Sequence, residues 1–321
     1  MTRCYLPYDY PFAVNGFLGH FQPRLGILLE TELWPNLVAL CAQRNIPVAL
    51  INARLSERSA RRYARFGDLT KNTLEKLALI AAQTDADGER LCNLFSGQAS
   101  IMGNLKFDNE VPAEQVALGE KLRAEFGANR PVWLAASTRD GEETLLLDVL
   151  EKIRAPNALA VIVPRHPQRF NELAELLMAR KIPFQRRSNN AVIDANTRVV
   201  LGDSMGEMFA YFAASDVAFI GGSLLPLGGQ NLIEACAAGA PVLIGPHTFN
   251  FAEATEQAIA AGAAMRVSDN VTLAAELDRV LTDAPRRRAM SAAGLAFIAQ
   301  HRGASERAYA ALVLLLPARA L

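Results

Sequence analysis

The chain alternates short apolar runs with longer segments in which apolar residues return every three or four positions. LGILLE reads as a buried strand, followed by a helix from about Trp34 to Arg44 and the strand PVALIN. A long basic helix is predicted from about Ser56 to Lys76, then the strand LALIAAQ, a helix from about Asp87 to Phe95 and the strand ASIMGN. The segment from Phe107 to Ala117 is polar, contains Pro112 and lacks a strand pattern. The domain boundary is drawn there, giving domains 1–112 and 113–321, the second including the C-terminal helices. A second series starts with PVWLAAS, a helix to about Arg154, ALAVIVP and a helix to about Lys181. It continues through VVLG, a helix from Gly206, VAFIGG, a glycine-loop helix and PVLIG. Apolar β runs separated by helical periods define βα units and parallel sheets. The second domain holds a whole Rossmann-like series and the first only the later half of one. The opening residues, MTRCYLPYDYPF, read as a loop from the middle of a domain.

At 321 residues the chain suits two domains of ordinary size. Lys+Arg and Asp+Glu both number 33, so no net field favours nucleic acid, and an anionic partner must be met by a local patch. Cys4, Cys41, Cys92 and Cys236 lack metal-type spacing, and three fall in helical patterns, which fits reduced thiols in a cytosolic setting. The four histidines are equally scattered, so no metal site is expected. No apolar run reaches the ~18 residues that span a bilayer. The start lacks the apolar core of a signal peptide.

The densest chemical signal lies in FIGGSLLPLGGQNLIEACAAGAPVLIGPHTFNF, Phe219 to Phe251. A strand ends in Gly221-Gly222-Ser223, and Gly228-Gly229 leads to a helix beginning near Asn231. Free N–H groups at such a helix start make an anion site. PVLIG then ends in a loop carrying His247, Thr248 and Asn250. Two strand-end loops converging on one helix start point to a nucleotide pocket at the carboxyl edge of a parallel sheet.

Four further segments carry candidate chemistry. In ETELWPN, Glu30 and Glu32 sit where a strand turns into a helix, as cleft carboxylates, or else Thr31 or Glu32 merely caps the helix. Ser204-Met205-Gly206-Glu207 matches a capping box at a strand's carboxyl end, and Asp140 and Glu143 repeat the capping logic after Ser137-Thr138. PRHPQRF follows a buried strand, with Arg165 able to hold a phosphate and His166 to hydrogen-bond one. Arg54, Arg58, Arg61, Arg62 and Arg65 share one helix face or its entry, either a solvated stripe or a seat for phosphates or an anionic membrane. Asp85-Ala86-Asp87 imitates a D-x-D metal motif but reads as a helix cap.

YLPYD, ETELWPN, INARLSERS, AAQ, GNLKFD, AST, PRHPQRF, GDSMGEM, the glycine loop and GPHTFNF occur in one order. Together they resemble the 3-deoxy-D-manno-octulosonic acid (Kdo) transferases that glycosylate the lipid A precursor of Gram-negative bacteria. The resemblance implies an α/β fold of GT-B type, two Rossmann-like domains facing across a cleft, with the N-terminal one incomplete. It implies CMP-Kdo as donor, inversion at the anomeric carbon, no cofactor or bound metal, and a phosphorylated acylated glucosamine disaccharide as acceptor. By resemblance Gly228, Gly229, Gln230 and Asn231 approach the donor phosphate with Arg165 and His166, and Glu234 takes the ribose hydroxyls. Ser204, Met205, Gly206 and Glu207 border the nucleotide, and His247, Thr248 and Asn250 line the donor side. Glu30 and Glu32 belong to the acceptor domain, and Arg58, Arg61 and Arg65 to the acceptor or the membrane surface at the cytoplasmic face of the inner membrane.

Family members carry further residues ahead of YLPYD, including a membrane-anchoring stretch and a serine–valine–glycine–glutamate loop whose Glu is the catalytic base. This chain has neither, so the resemblance supports the parent activity more than turnover by the polypeptide itself. Two other readings stay open: a different GT-B enzyme, such as a heptosyltransferase or sugar-nucleotide epimerase, and a non-catalytic nucleotide-binding remnant.

Overall fold

A computed structural model describes residues 3–316, which form two compact units. Unit 1 takes the chain up to Asp108 together with the residues from His301 onward, and unit 2 is Asn109–Gln300. Unit 1 contains α1 (Pro11–Phe21), β1 (Gly26–Leu29), α2 (Pro35–Gln43), β2 (Val48–Ala53), α3 (Glu57–Ala64), α4 (Gly67–Leu74), β3 (Leu79–Ala82), α5 (Asp85–Cys92) and β4 (Ser100–Ile101). Its sheet is parallel in the order β1-β2-β3-β4. β2 is buried along its whole length, and its alternate residues face two different clusters. Val48 and Leu50 pack with Val14, Leu18, Val38, Leu74 and Ile80, whereas Ala49 and Ile51 pack with Ala81 and Met102.

Unit 2 contains α6 (Ala113–Phe126), β5 (Val132–Thr138), α7 (Glu142–Lys152), β6 (Leu159–Pro164), α8 (Arg169–Ala179), β7 (Phe184–Arg186), β8 (Val199–Leu201) and α9 (Met208–Ala214). It continues with β9 (Val217–Ile220), α10 (Ile233–Ala237), β10 (Val242–Ile244), α11 (Ala252–Ala260), β11 (Ala264–Arg266), α12 (Asn270–Thr282) and α13 (Ala284–His301), whose last residue counts with unit 1. The sheet is parallel in the order β11-β10-β9-β5-β6-β8-β7. β5, β6, β8, β9 and β10 are buried on both faces, as a sheet covered by helices on either side requires, which is why they read as continuous apolar runs. Trp133, Ile162, Phe219 and Leu243 pack with Leu146 and Leu150 of α7 and Leu273 and Leu277 of α12.

The opening residues 3–10 form no helix or strand, in line with the loop reading, and α1 follows them: Pro11 sits at its start, where a missing N–H costs nothing, and Val14 and Leu18 enter the core. Other expectations are corrected. The long basic helix is two helices, because Gly67 turns the chain with φ +40 and Thr70 Oγ1 donates to the Tyr63 carbonyl at 2.9 Å. That turn lets α4 bury Thr70, Thr73 and Leu74, whereas α3 buries no residue. The units divide at Asp108/Asn109, inside the Phe107–Ala117 segment given to the boundary and a little ahead of 112/113, and α6 begins within the same segment. The last helix, α14 (Ala304–Val313), groups with unit 1 and not with the second domain: Ala304 and Ala308 cover Ala49, Ile51 and Ala81.

Candidate functional site

In unit 2 the chain runs outward from β5 through β6 to β8, then returns to the other side of β5 for β9, β10 and β11. Ligands of open parallel sheets bind beyond the carboxyl ends of the strands at such a reversal. Three segments singled out from the sequence end there: Ser137-Thr138 at the end of β5, Pro164–His166 at the end of β6, and Gly221–Ser223 after β9. Ser137 adopts φ +56, and the β5–β6 register shifts between Ala136 and Thr138. The Arg165 N–H then donates to the Thr138 carbonyl at 3.0 Å. The side chains of Arg165 and His166 are exposed and make no hydrogen bond or ion pair among the described residues. Arg169 differs. It pairs with Glu143 at 3.0 Å, with Asp140 at 2.7 Å, and with Glu172.

The glycine turn is tighter than expected. Gly228 has φ +93, and a Cβ there would lie 2.3 Å from Asn250 Nδ2, so only glycine fits. The expectation of free N–H groups along Gly228–Asn231 is corrected in part. The N–H of Gly229 donates to the Gly222 carbonyl at 2.7 Å and that of Gln230 to the Gly221 carbonyl at 3.0 Å. The following helix, α10, has only five residues, and its Ile233 N–H donates to Asn231 Oδ1 at 3.1 Å. Asn231 Nδ2 donates to Glu234 Oε1 at 2.9 Å. The loop after β10 is stitched to the same turn. His247 N–H donates to the Ser223 carbonyl at 3.0 Å, and Asn250 N–H to the Gly228 carbonyl at 2.9 Å. Thr248 is buried between them in sequence, and His247 is half-buried.

After β8, Ser204 and Glu207 do not form a capping box, since α9 starts at Met208 with Glu207 itself at the N-cap position. Gly206, at φ +80, turns the loop instead. Ser204 Oγ donates to Glu207 Oε2 at 2.5 Å and lies 2.6 Å from the Tyr211 hydroxyl. Burial pushes the Tyr211 phenol well above its ordinary value. Met205 is exposed at the tip. Arg187, which no motif marked, donates from Nη2 to Glu207 Oε1 at 3.3 Å. It follows β7, a short strand without an apolar run, so nothing in the sequence announced it. The capping role given to Asp140 and Glu143 is also corrected: Gly141 is the N-cap of α7, and both carboxylates are held by Arg169.

In unit 1, Glu30 adopts φ +60 at the end of β1, and its carboxylate lies 3.5 Å from Lys106 Nζ. Glu32 is exposed and accepts from Trp34 Nε1 at 2.7 Å. Neither caps α2. Asp9 does so, accepting from the N–H groups of Asn36 at 2.9 Å and Leu37 at 2.8 Å. Tyr63 of α3 donates from its hydroxyl to the Thr31 carbonyl at 3.0 Å, which brings the arginine helix to the ETELWPN loop. Arg58, Arg61, Arg62 and Arg65 are exposed and form no ion pair among the described residues, whereas Arg54 is half-buried. Asp87 is buried, accepts from Leu55 N–H at 2.8 Å and pairs with Arg90 at 3.0 Å, while Thr84 caps α5. Among the described residues no group of three or more His, Cys, Asp or Glu side chains is placed to hold a metal. No helix there is long and apolar enough to cross a membrane.

Residues 144–296 match the family described as glycosyl transferases group 1, and residues 1–109 match 3-deoxy-D-manno-octulosonic-acid transferase (kdotransferase). A 3-deoxy-D-manno-octulosonic acid transferase of Bordetella pertussis is 43% identical over 318 residues, 97% of this chain and 74% of that protein. The Haemophilus influenzae transferase is 40% identical over 94% of this chain and 72% of its own length. Among solved structures, the C-terminal CMP-Kdo binding domain of WaaA from Acinetobacter baumannii is 30% identical with a TM-score of 0.55, covering 58% of this chain and 99% of that domain. Anabaena HepE in complex with UDP has a TM-score of 0.61 over 94% of this chain and 81% of its own, but at 15% identity it shares the fold alone. The fold and these matches define a glycosyltransferase of the GT-B class. Within that class the chain belongs to the Kdo transferase family.

Proposed function

We propose that this chain acts in transfer of Kdo from CMP-Kdo to a phosphorylated lipid A precursor, with inversion and without a bound metal. The observation that carries the reading is Arg165, exposed and without a side-chain partner among the described residues, beside His166 at the strand reversal of unit 2. A guanidinium with its donors unspent matches a departing phosphate monoester, whose charge grows as the glycosidic bond breaks. His166 adds a hydrogen bond to the same phosphate. The Gly228–Asn231 turn sets the approach of the backbone, and Glu234 takes the ribose hydroxyls. Ser204, Met205, Gly206 and Glu207 border the nucleotide, and His247, Thr248 and Asn250 line the donor side. Glu32, with Glu30, serves the acceptor end, where a carboxylate must take the proton of the attacking hydroxyl. Arg58, Arg61 and Arg65 meet the acceptor phosphates and the anionic surface of the membrane, on the cytoplasmic face of the inner membrane.

The test is calorimetry with CMP and with UDP in chelator. Binding of CMP without metal, and tighter than UDP, supports the donor reading. Preference for UDP moves the chain to another GT-B enzyme, and a strict need for magnesium removes the metal-free mechanism.

A further inference from the structure

Glu142 stands at the start of α7, yet its side chain is wholly buried and has no basic partner among the described residues. Its charge is met by backbone N–H groups instead. Oε2 accepts from Arg139 at 3.0 Å and from Gly222 at 2.5 Å, and Oε1 accepts from Leu224 at 3.0 Å. Burial pushes the carboxyl above its ordinary value, against the downward pull of these donors. A helix cap accounts for the local bond to Arg139 only. The other two donors lie on the loop that follows β9, some eighty residues along the chain.

That loop is a junction. Its N–H side is held by Glu142, and its carbonyl side holds two other segments. The carbonyls of Gly221 and Gly222 accept from Gln230 and Gly229 of the glycine turn, and the Ser223 carbonyl accepts from His247. Ser223 Oγ accepts from Gly245 N–H at 2.8 Å, just ahead of His247. The junction has no slack: a Cβ on Gly221 would lie 2.6 Å from the Ser137 carbonyl oxygen, and one on Gly245 would lie 2.2 Å from that of Ser223. A carboxylate buried without a cation is costly, so its placement here calls for a return.

We propose that Glu142 is a positioning residue for the donor pocket, setting the glycine turn and the His247 loop through the Gly222–Leu224 backbone. This rests on the reading of those two segments as the nucleotide-sugar site. Glu142 itself touches no substrate.

Glu142→Gln keeps the shape but sets an amide NH₂ against one of the loop's N–H groups. Hydrogen exchange should quicken at Gly222, Leu224 and His247 while Val161 on β6 keeps its protection. The CMP dissociation constant should rise about tenfold or more, the scale of a lost hydrogen bond to a charged group. Glu142→Asp, which keeps the charge but draws it back, should give an intermediate result in both measurements. Unchanged exchange and affinity in E142Q, with the parent binding CMP, overturns the proposal alone. A parent chain that does not bind CMP overturns the donor reading and takes the functional half of this proposal with it. Failure of both variants to fold assigns Glu142 to stability and also overturns it.

Discussion

Arg169 donates from Nη2 to the carboxylate of Glu143 at 3.0 Å, and Glu143 also accepts from Thr138 Oγ1 at 2.9 Å. Glu143 is almost wholly buried, so removing its cation leaves a charge in the interior. Arg169→Ala should therefore destabilise unit 2 by about 3 kcal/mol, the lower end of the cost of breaking a buried pair. Arg165, four residues earlier on the loop between β6 and α8, is exposed and unpaired among the described residues. Arg165→Ala should leave the melting temperature near that of the parent and weaken CMP by about 1.5–3 kcal/mol. The opposite assignment of effects, seen in parallel melting and calorimetry, would place the phosphate arginine at Arg169.

Asp108 ties the last helix to unit 1. Its carboxylate accepts from the N–H of Gly303 at 2.7 Å and of Ser305 at 2.5 Å, at the start of α14. Burial pushes the carboxyl up, but the donors of Ser305, Gly303 and Ala304 together outweigh it and hold it below its ordinary 3.8. A carboxyl depressed in the folded state contributes stability that is present above the ordinary value and is lost as pH falls through the folded one. Asp108→Asn should cost about 1 kcal/mol at neutral pH, the scale of a lost helix cap. The gap between the two proteins should close in acid. Parallel melting curves down to pH 3 would detach Asp108 from the stability of α14.

Elements buried on both faces were legible because burial forces a continuous apolar run, as in Val132–Thr138 and Leu159–Pro164. β7 and β11 were not, since three-residue strands at the sheet's two edges carry exposed or half-exposed positions such as Gln185 and Arg266 and so lack that run. α1 was hidden by a composition rich in Phe and Gly, whose helical preference is weak until Val14 and Leu18 find the core. In the candidate site, glycine spacing marked the turn but not the fate of its N–H groups, which depends on a carbonyl partner at Gly221 or Gly222. Glu142 and Asp9 escaped because each acts on backbone distant in sequence, and a buried carboxylate among N–H donors has no spacing rule. Ser204 and Glu207 did meet, though through side chains and not as a cap.

The exposed arginines of α3 form the sharpest surface feature of unit 1. Arg58, Arg61 and Arg65 stand at three- and four-residue spacing with no ion pair among the described residues, and Tyr63 links their helix to the loop of Glu32. Cations left uncompensated in this way attract an anionic partner at a distance that salt can shorten. Replacing the three by Glu should lower attachment to vesicles containing anionic lipid, and the difference from the parent should shrink as salt rises. CMP affinity should stay level, because the candidate donor residues belong to unit 2. Equal vesicle attachment by both proteins at low salt would reduce the stripe to a solvated face. A fall in CMP affinity instead would assign these arginines to the donor.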